Sequence, residues 1–144
     1  MADGKETARS LAELRERWPE AAVEKVEYWN AFIPRANGGR GKRRDLFGFG
    51  DVLVAGPEPG FVIVQVTTKK QMKARFDKIL GKPQRSDSKP EEFAAYRLNC
   101  LKHWLNAGGR VLVQGWSQPN GPRTRWVLTE WEITQEDVRR QHDS

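Results

Sequence analysis

Cysteine and histidine are scarce in this 144-residue chain, which holds only Cys100, His103 and His142. One cysteine excludes an intramolecular disulfide, fits a reducing, cytoplasmic setting and removes any zinc-finger pattern. Two histidines cannot complete a His/Cys metal cluster, so any metal site must be built from oxygen, which favours Mg²⁺ or Mn²⁺. No run approaches the roughly 20 apolar residues that a membrane helix needs. The opening stretch MADGKETARS lacks the apolar segment of a secretory signal. No internal repeat or domain boundary stands out. The expectation is a single domain over residues 1–134, followed by a polar tail at 135–144.

Charge is plentiful and uneven. The formal net charge is +6 and the pI is near 9.7. Between Arg35 and Arg85, twelve basic residues face four acidic ones, a local charge of +8 that leaves −2 for the rest. A patch of this kind favours polyanions through counterion release. DNA contacts are therefore expected at Arg40, Lys42, Arg43 and Arg44 and along the Lys-rich segment with Lys73 and Lys78, although a solvated basic surface has the same composition.

Asp3 to about Trp18 reads as a helix, with Asp3-x-x-Glu6 as a capping box and Leu11, Leu14 and Trp18 on one face. Val23 to Trp29 is β-biased. Pro34 to Lys42 reads as a Gly-rich basic loop. Leu46–Ala55 and Phe61–Thr67 read as two strands joined by Gly56-Pro57-Glu58-Pro59-Gly60. Thr68 is placed to cap a helix running to about Leu80, its buried stripe formed by Met72, Phe76, Ile79 and Leu80 and its outer face by lysines, Lys78 included. A second helix begins near Ser88-x-x-Glu91, with Phe93, Cys100, Leu101, Trp104 and Leu105 as its apolar stripe, and stops at Gly108-Gly109. Arg110–Trp116 and Arg125–Ile133 read as the last strands. Trp29 and Trp116 fall at strand ends, where they either pack in the core or stack on bases.

The most informative stretch is Arg43–Thr67. It sets Asp51 and Gln65 at the ends of two apolar strands joined by a turn. An acid in such a place needs a metal, a phosphate or a hydrogen-bonded partner. GFGDVLV followed by VIVQVT resembles the PD-(D/E)XK nuclease superfamily, in its small branch similar to Holliday-junction resolvases and VRR-NUC domains. With a later AGGRVLVxGW, the resemblance covers about Thr7 to Ile133 and extends to small phage and bacterial proteins of that superfamily. It implies a restriction-endonuclease-like αβββαβ core, a mixed sheet flanked by helices, here with one inserted helix and one added C-terminal strand. It also implies a Mg²⁺- or Mn²⁺-dependent DNA endonuclease, with branched DNA among the substrates and homodimers common. Asp51 falls on the family's aspartate, Gln65 on its glutamate and Thr67 on its lysine, so two of the three positions differ. Lys69 or Lys70 is a candidate to replace the missing ammonium, and Glu27 or Asp45 a candidate extra carboxylate. Asp45 is six residues before Asp51, on the order of 20 Å away along a straight strand, unless Gly48 and Gly50 bend it. Loss of the Glu and Lys equally fits a nuclease fold that only binds DNA.

Overall fold

The structure is a computed structural model that describes residues 4–26, 28–34 and 39–143, with backbone alone at residues 4, 28–34, 40–43, 142 and 143. Glu27, one of the candidate carboxylates, lies outside the described residues, as does Asp3 of the expected capping box.

The chain forms an α/β fold around a mixed five-stranded open sheet. Helix α1 (Gly4–Arg17) leads into β1 (Ala22–Lys25), which pairs with β4 (Val52–Gly56). β4 in turn pairs with β5 (Gly60–Thr68) through the Pro/Gly turn. A 3₁₀ turn, Lys69–Gln71, and helices α2 (Met72–Ile79) and α3 (Pro90–Asn106) carry the chain over to β6 (Arg110–Ser117). β6 runs parallel to β5, and β7 (Val127–Ile133) closes the sheet. The order is β1-β4-β5-β6-β7, with only the β5–β6 pair parallel. A parallel pair cannot be joined by a tight turn, which is why the helices sit at that point of the chain.

β5 is apolar at nearly every position because both its faces are covered. Val62, Val64 and Val66 pack under α1 with Leu14, Val52, Val54, Leu112 and Trp116. Ile63 faces the opposite layer of Met72, Ile79, Leu101, Leu105, Val111 and Val113. Each such side chain contributes about 1.5–3 kcal/mol on burial. Trp116 is 8% exposed and donates its indole N–H to Ser10 Oγ at 2.8 Å, so it is core and no platform for a base.

Several local expectations are corrected. Tyr28–Pro34 and Arg40–Arg44 form a separate hairpin, β2–β3, where a basic loop was expected. Uncharged, aromatic-rich β2 supplies the pairing partner for the basic strand. Thr68 makes no capping hydrogen bond, because the chain passes through the 3₁₀ turn before α2 begins. The N-cap of α3 is Lys89, without a side-chain cap, and Pro90 opens the helix. The buried face of α3 is Ala94, Arg97, Leu101 and Leu105, while Phe93 and Cys100 are only partly buried. Gln135–Asp143 is a helix, α4. The Asp137 carboxylate accepts from the Thr134 N–H at 2.8 Å and the Thr134 hydroxyl at 3.1 Å, and Val138 anchors the helix in the core. No helix among the described residues is long and apolar enough to cross a membrane.

Candidate functional site

The β4–β5 register sets Val52 opposite Val64, so the next residues outward, Asp51 and Gln65, face each other. Both are buried, at 4% and 2% exposure, on the sheet face that carries Leu53 and Ile63 beneath α2 and α3. Asp51 Oδ2 accepts two hydrogen bonds of 2.8 Å, one from Gln65 Nε2 and one from the Val66 N–H. The Asp51 N–H donates to Val64 O, and its carbonyl accepts from the Val26 N–H, each at 2.9 Å. A carboxylate can only accept from an amide, so the NH₂ side of Gln65 must face Asp51. That leaves Gln65 Oε1 buried without a hydrogen-bond partner, a costly condition for an acceptor inside a protein.

The segment before Asp51 is a tight turn, where a strand was expected. Leu46 and Gly50 form an antiparallel bridge with both backbone bonds made, at 2.9 and 2.8 Å. Phe47 and Gly48 reverse the chain with φ of 56° and 82°. Phe47 is a bulky residue in the left-handed region, a strain of about 1–3 kcal/mol that persists only where surrounding contacts impose it. Its ring packs against Phe49 and Trp104 at centroid distances of 6.5 and 6.1 Å. Bridged strand partners lie about 5 Å apart, so Asp45 and Asp51, which flank the bridge, come together. The straight-strand separation is corrected accordingly.

Lys78 completes the group. It was expected on the outer face of α2, but it is partly buried. Burial is the main cause that lowers its ammonium pKa from the ordinary lysine value; Asp45 and Asp51 pull it back up, while Arg75 and Arg97 push it further down. Arg75, one turn before Lys78, has its Nε buried without a partner. Arg97 of α3 is 3% exposed and donates to Lys78 O at 3.2 Å, Lys82 O at 3.1 Å and the buried Asp87 carboxylate at 3.1 Å. Its Cγ would lie 2.8 Å from a Cβ at position 48. Arg97 thus ties the turn that carries the aspartates to the helix that carries Lys78. Neither Arg97 nor Arg75 was singled out from sequence, because an arginine in a helix reads as surface.

The structure therefore brings together Asp51, Gln65, Asp45 and Lys78. Thr67 is buried on the same face one step further along β5, opposite Gly115. Lys69 and Lys70 are exposed on the 3₁₀ turn beyond it. Lys73 is exposed and pairs with Asp77 at 2.9 Å. Arg44 stacks 5.5 Å above the Tyr96 ring of α3. Arg40, Lys42 and Arg43 belong to β3.

Among the described residues no three His, Cys, Asp or Glu side chains are grouped to hold a metal by themselves. Asp45, Asp51 and Gln65 carry oxygens of the hard kind, but Gln65 turns its NH₂ and not its Oε1 toward Asp51. Donors of this kind are those that Mg²⁺ takes, with one or two carboxylates and a shell filled by water and phosphate. Comparison with known proteins finds no matching family model, no similar curated protein and no similar solved structure.

Proposed function

We propose that the protein is a metal-dependent DNA endonuclease-like protein, hydrolysing phosphodiesters from a restriction-endonuclease-like αβββαβ core. The carrying observation is the buried Asp51–Gln65 pair, with Lys78 close enough to feel the charge of Asp45 and Asp51. The chain order α1, β1, β4, β5, helices, β6 supports the reading, with the β2–β3 hairpin as an insertion. Asp51 and Gln65, with Asp45 beside them, would hold Mg²⁺ or Mn²⁺. When bound, the ion supplies an ionised water and charge stabilisation at the leaving oxygen.

The remaining work falls to the chain's own groups. Lys78 takes the place left by Thr67, ahead of Lys69 and Lys70. Its lowered pKa brings the ammonium closer to the range where it can exchange a proton, and an arriving phosphate favours its charged form. Arg75 Nε gains the acceptor it lacks when an anionic oxygen enters. Arg40, Lys42, Arg43, Arg44 and Lys73 supply charge for the flanking phosphates.

A second reading, a DNA-binding protein without cleavage, is favoured by one observation. Asp51 Oδ2 is held by two N–H donors, as in an aspartate that ties a sheet together. Incubation with branched and linear DNA in Mn²⁺ or EDTA decides between them. Metal-dependent cutting that is lost in Asp51→Asn supports the enzyme, and salt-sensitive binding without cutting supports the binder. Absence of both removes the proposal.

A further inference from the structure

We infer that the β2–β3 hairpin is an arm that enters the major groove of duplex DNA beside the candidate site. The inference rests on the DNA reading above and adds the form of DNA and the element that engages it.

Strands β2 and β3 pair with each other and stand apart from the five-stranded sheet. A lone two-stranded ribbon is marginal in water and gains from a partner. β2, YWNAFIP, has no charged residue, whereas β3, RGKRR, has four cations in five residues and no acid. Such a strand repels itself, and Lys and Gly disfavour β structure. A closely spaced anion array relieves that repulsion. Strand residues rise about 3.3 Å each, close to the roughly 3.4 Å between phosphates along one DNA strand.

Width points to the groove. Two strands about 4.8 Å apart with their side chains suit the B-form major groove, about 12 Å wide, and exceed the minor groove at about 6 Å. The major groove of duplex RNA is deep and narrow, so RNA is the poorer fit. The register also sets Tyr28 opposite Arg44 and Trp29 opposite Arg43, which pairs aromatic and cationic positions across the ribbon. The root of the arm is fixed near the site. Arg44 stacks on Tyr96, and the next residues are Asp45 and the bridged turn to Asp51. DNA held by the arm is thereby delivered to the carboxylates.

The test is fluorescence anisotropy of a labelled DNA duplex over a salt series, using the full chain, the triple variant Arg40→Gln/Lys42→Gln/Arg43→Gln, and Glu20→Gln. Losing three phosphate contacts is expected to flatten the slope of log K against log[salt] by about 2.7, at roughly 0.9 per contact. Glu20→Gln, an exposed change outside the candidate site, is expected to keep the slope, and Arg43→Lys, which preserves charge, serves as the folding control. Methyl green, a major-groove ligand, is expected to displace the protein, and netropsin, a minor-groove ligand, is not. An unchanged slope in the triple variant overturns the arm, as does displacement by netropsin alone or equal binding of duplex RNA. Slope loss without any cleavage leaves the arm standing and removes the nuclease reading. Metal-dependent cleavage with an unchanged slope does the reverse.

Discussion

Replacing Asp51 with alanine tests the geometry before any activity is known. The carboxylate is 4% exposed, and one of its oxygens holds the Gln65 amide and the Val66 N–H, each at 2.8 Å. Hydrogen bonds to a charged group contribute about 1.5–3 kcal/mol each. Alanine removes both and leaves the Val66 N–H buried without an acceptor. The Gln65 amide keeps only a 3.4 Å contact to Val66 O. Release of the carboxylate from a dry environment offsets part of the loss. A net destabilisation of about 3 kcal/mol is expected, which lowers the melting temperature by about 6–12 °C for a chain of this size. Asp51→Asn keeps an oxygen that can accept both donors, so its cost is expected near 1 kcal/mol. Urea unfolding followed by circular dichroism measures both. An alanine variant within about 0.5 kcal/mol of the parent would refute the buried hydrogen-bonded arrangement.

Lys78 is expected to titrate below the free-lysine value of 10.5, since burial disfavours its charge; competitive acetylation read by mass spectrometry reports this. Asp45→Asn or Asp51→Asn is expected to lower it further, because both carboxylates raise it, and a shift upward would contradict the placement. The unfolded chain binds more protons between the lowered folded pKa and 10.5, so Lys78 destabilises the fold at neutral pH. That cost fades as pH rises through this window. Arg97→Leu breaks the buried pair with Asp87 and is expected to cost about 3–5 kcal/mol in urea unfolding. Asp137→Ala removes the acceptor of both Thr134 donors and is expected to cost about 1 kcal/mol, with faster amide exchange in the first turn of α4.

The large apolar signals were legible in sequence. Continuous apolar runs and the Gly56–Gly60 turn placed β4 and β5, with Asp51 and Gln65 at their ends, and the observed register sets the two side by side. Glycine after helix α3 marked its end, where Gly108 has φ of 91°. What stayed hidden depended on tertiary context. RGKRR looks like solvent-exposed loop until β2 is recognised as its partner. Phe47 hides the reversal that joins Asp45 to Asp51, because a phenylalanine gives no signal for a left-handed residue. Lys78 and Arg97 read as surface cations, since helical periodicity counts apolar side chains and cannot show that two carboxylates wait beneath. The polar tail concealed α4 for a related reason: among the described residues of that segment, Val138 alone is buried in the core.

The central claim is that an aspartate and a glutamine, buried side by side near Lys78, form a divalent-cation site. The direct measurement is Mn²⁺ binding by electron paramagnetic resonance, which counts free ion against each protein form. The parent is expected to bind, Asp51→Asn to lose binding, and Gln65→Glu to bind more tightly, because a second carboxylate 2.8 Å from the first needs a cation between them. No binding by either the parent or Gln65→Glu would contradict the account.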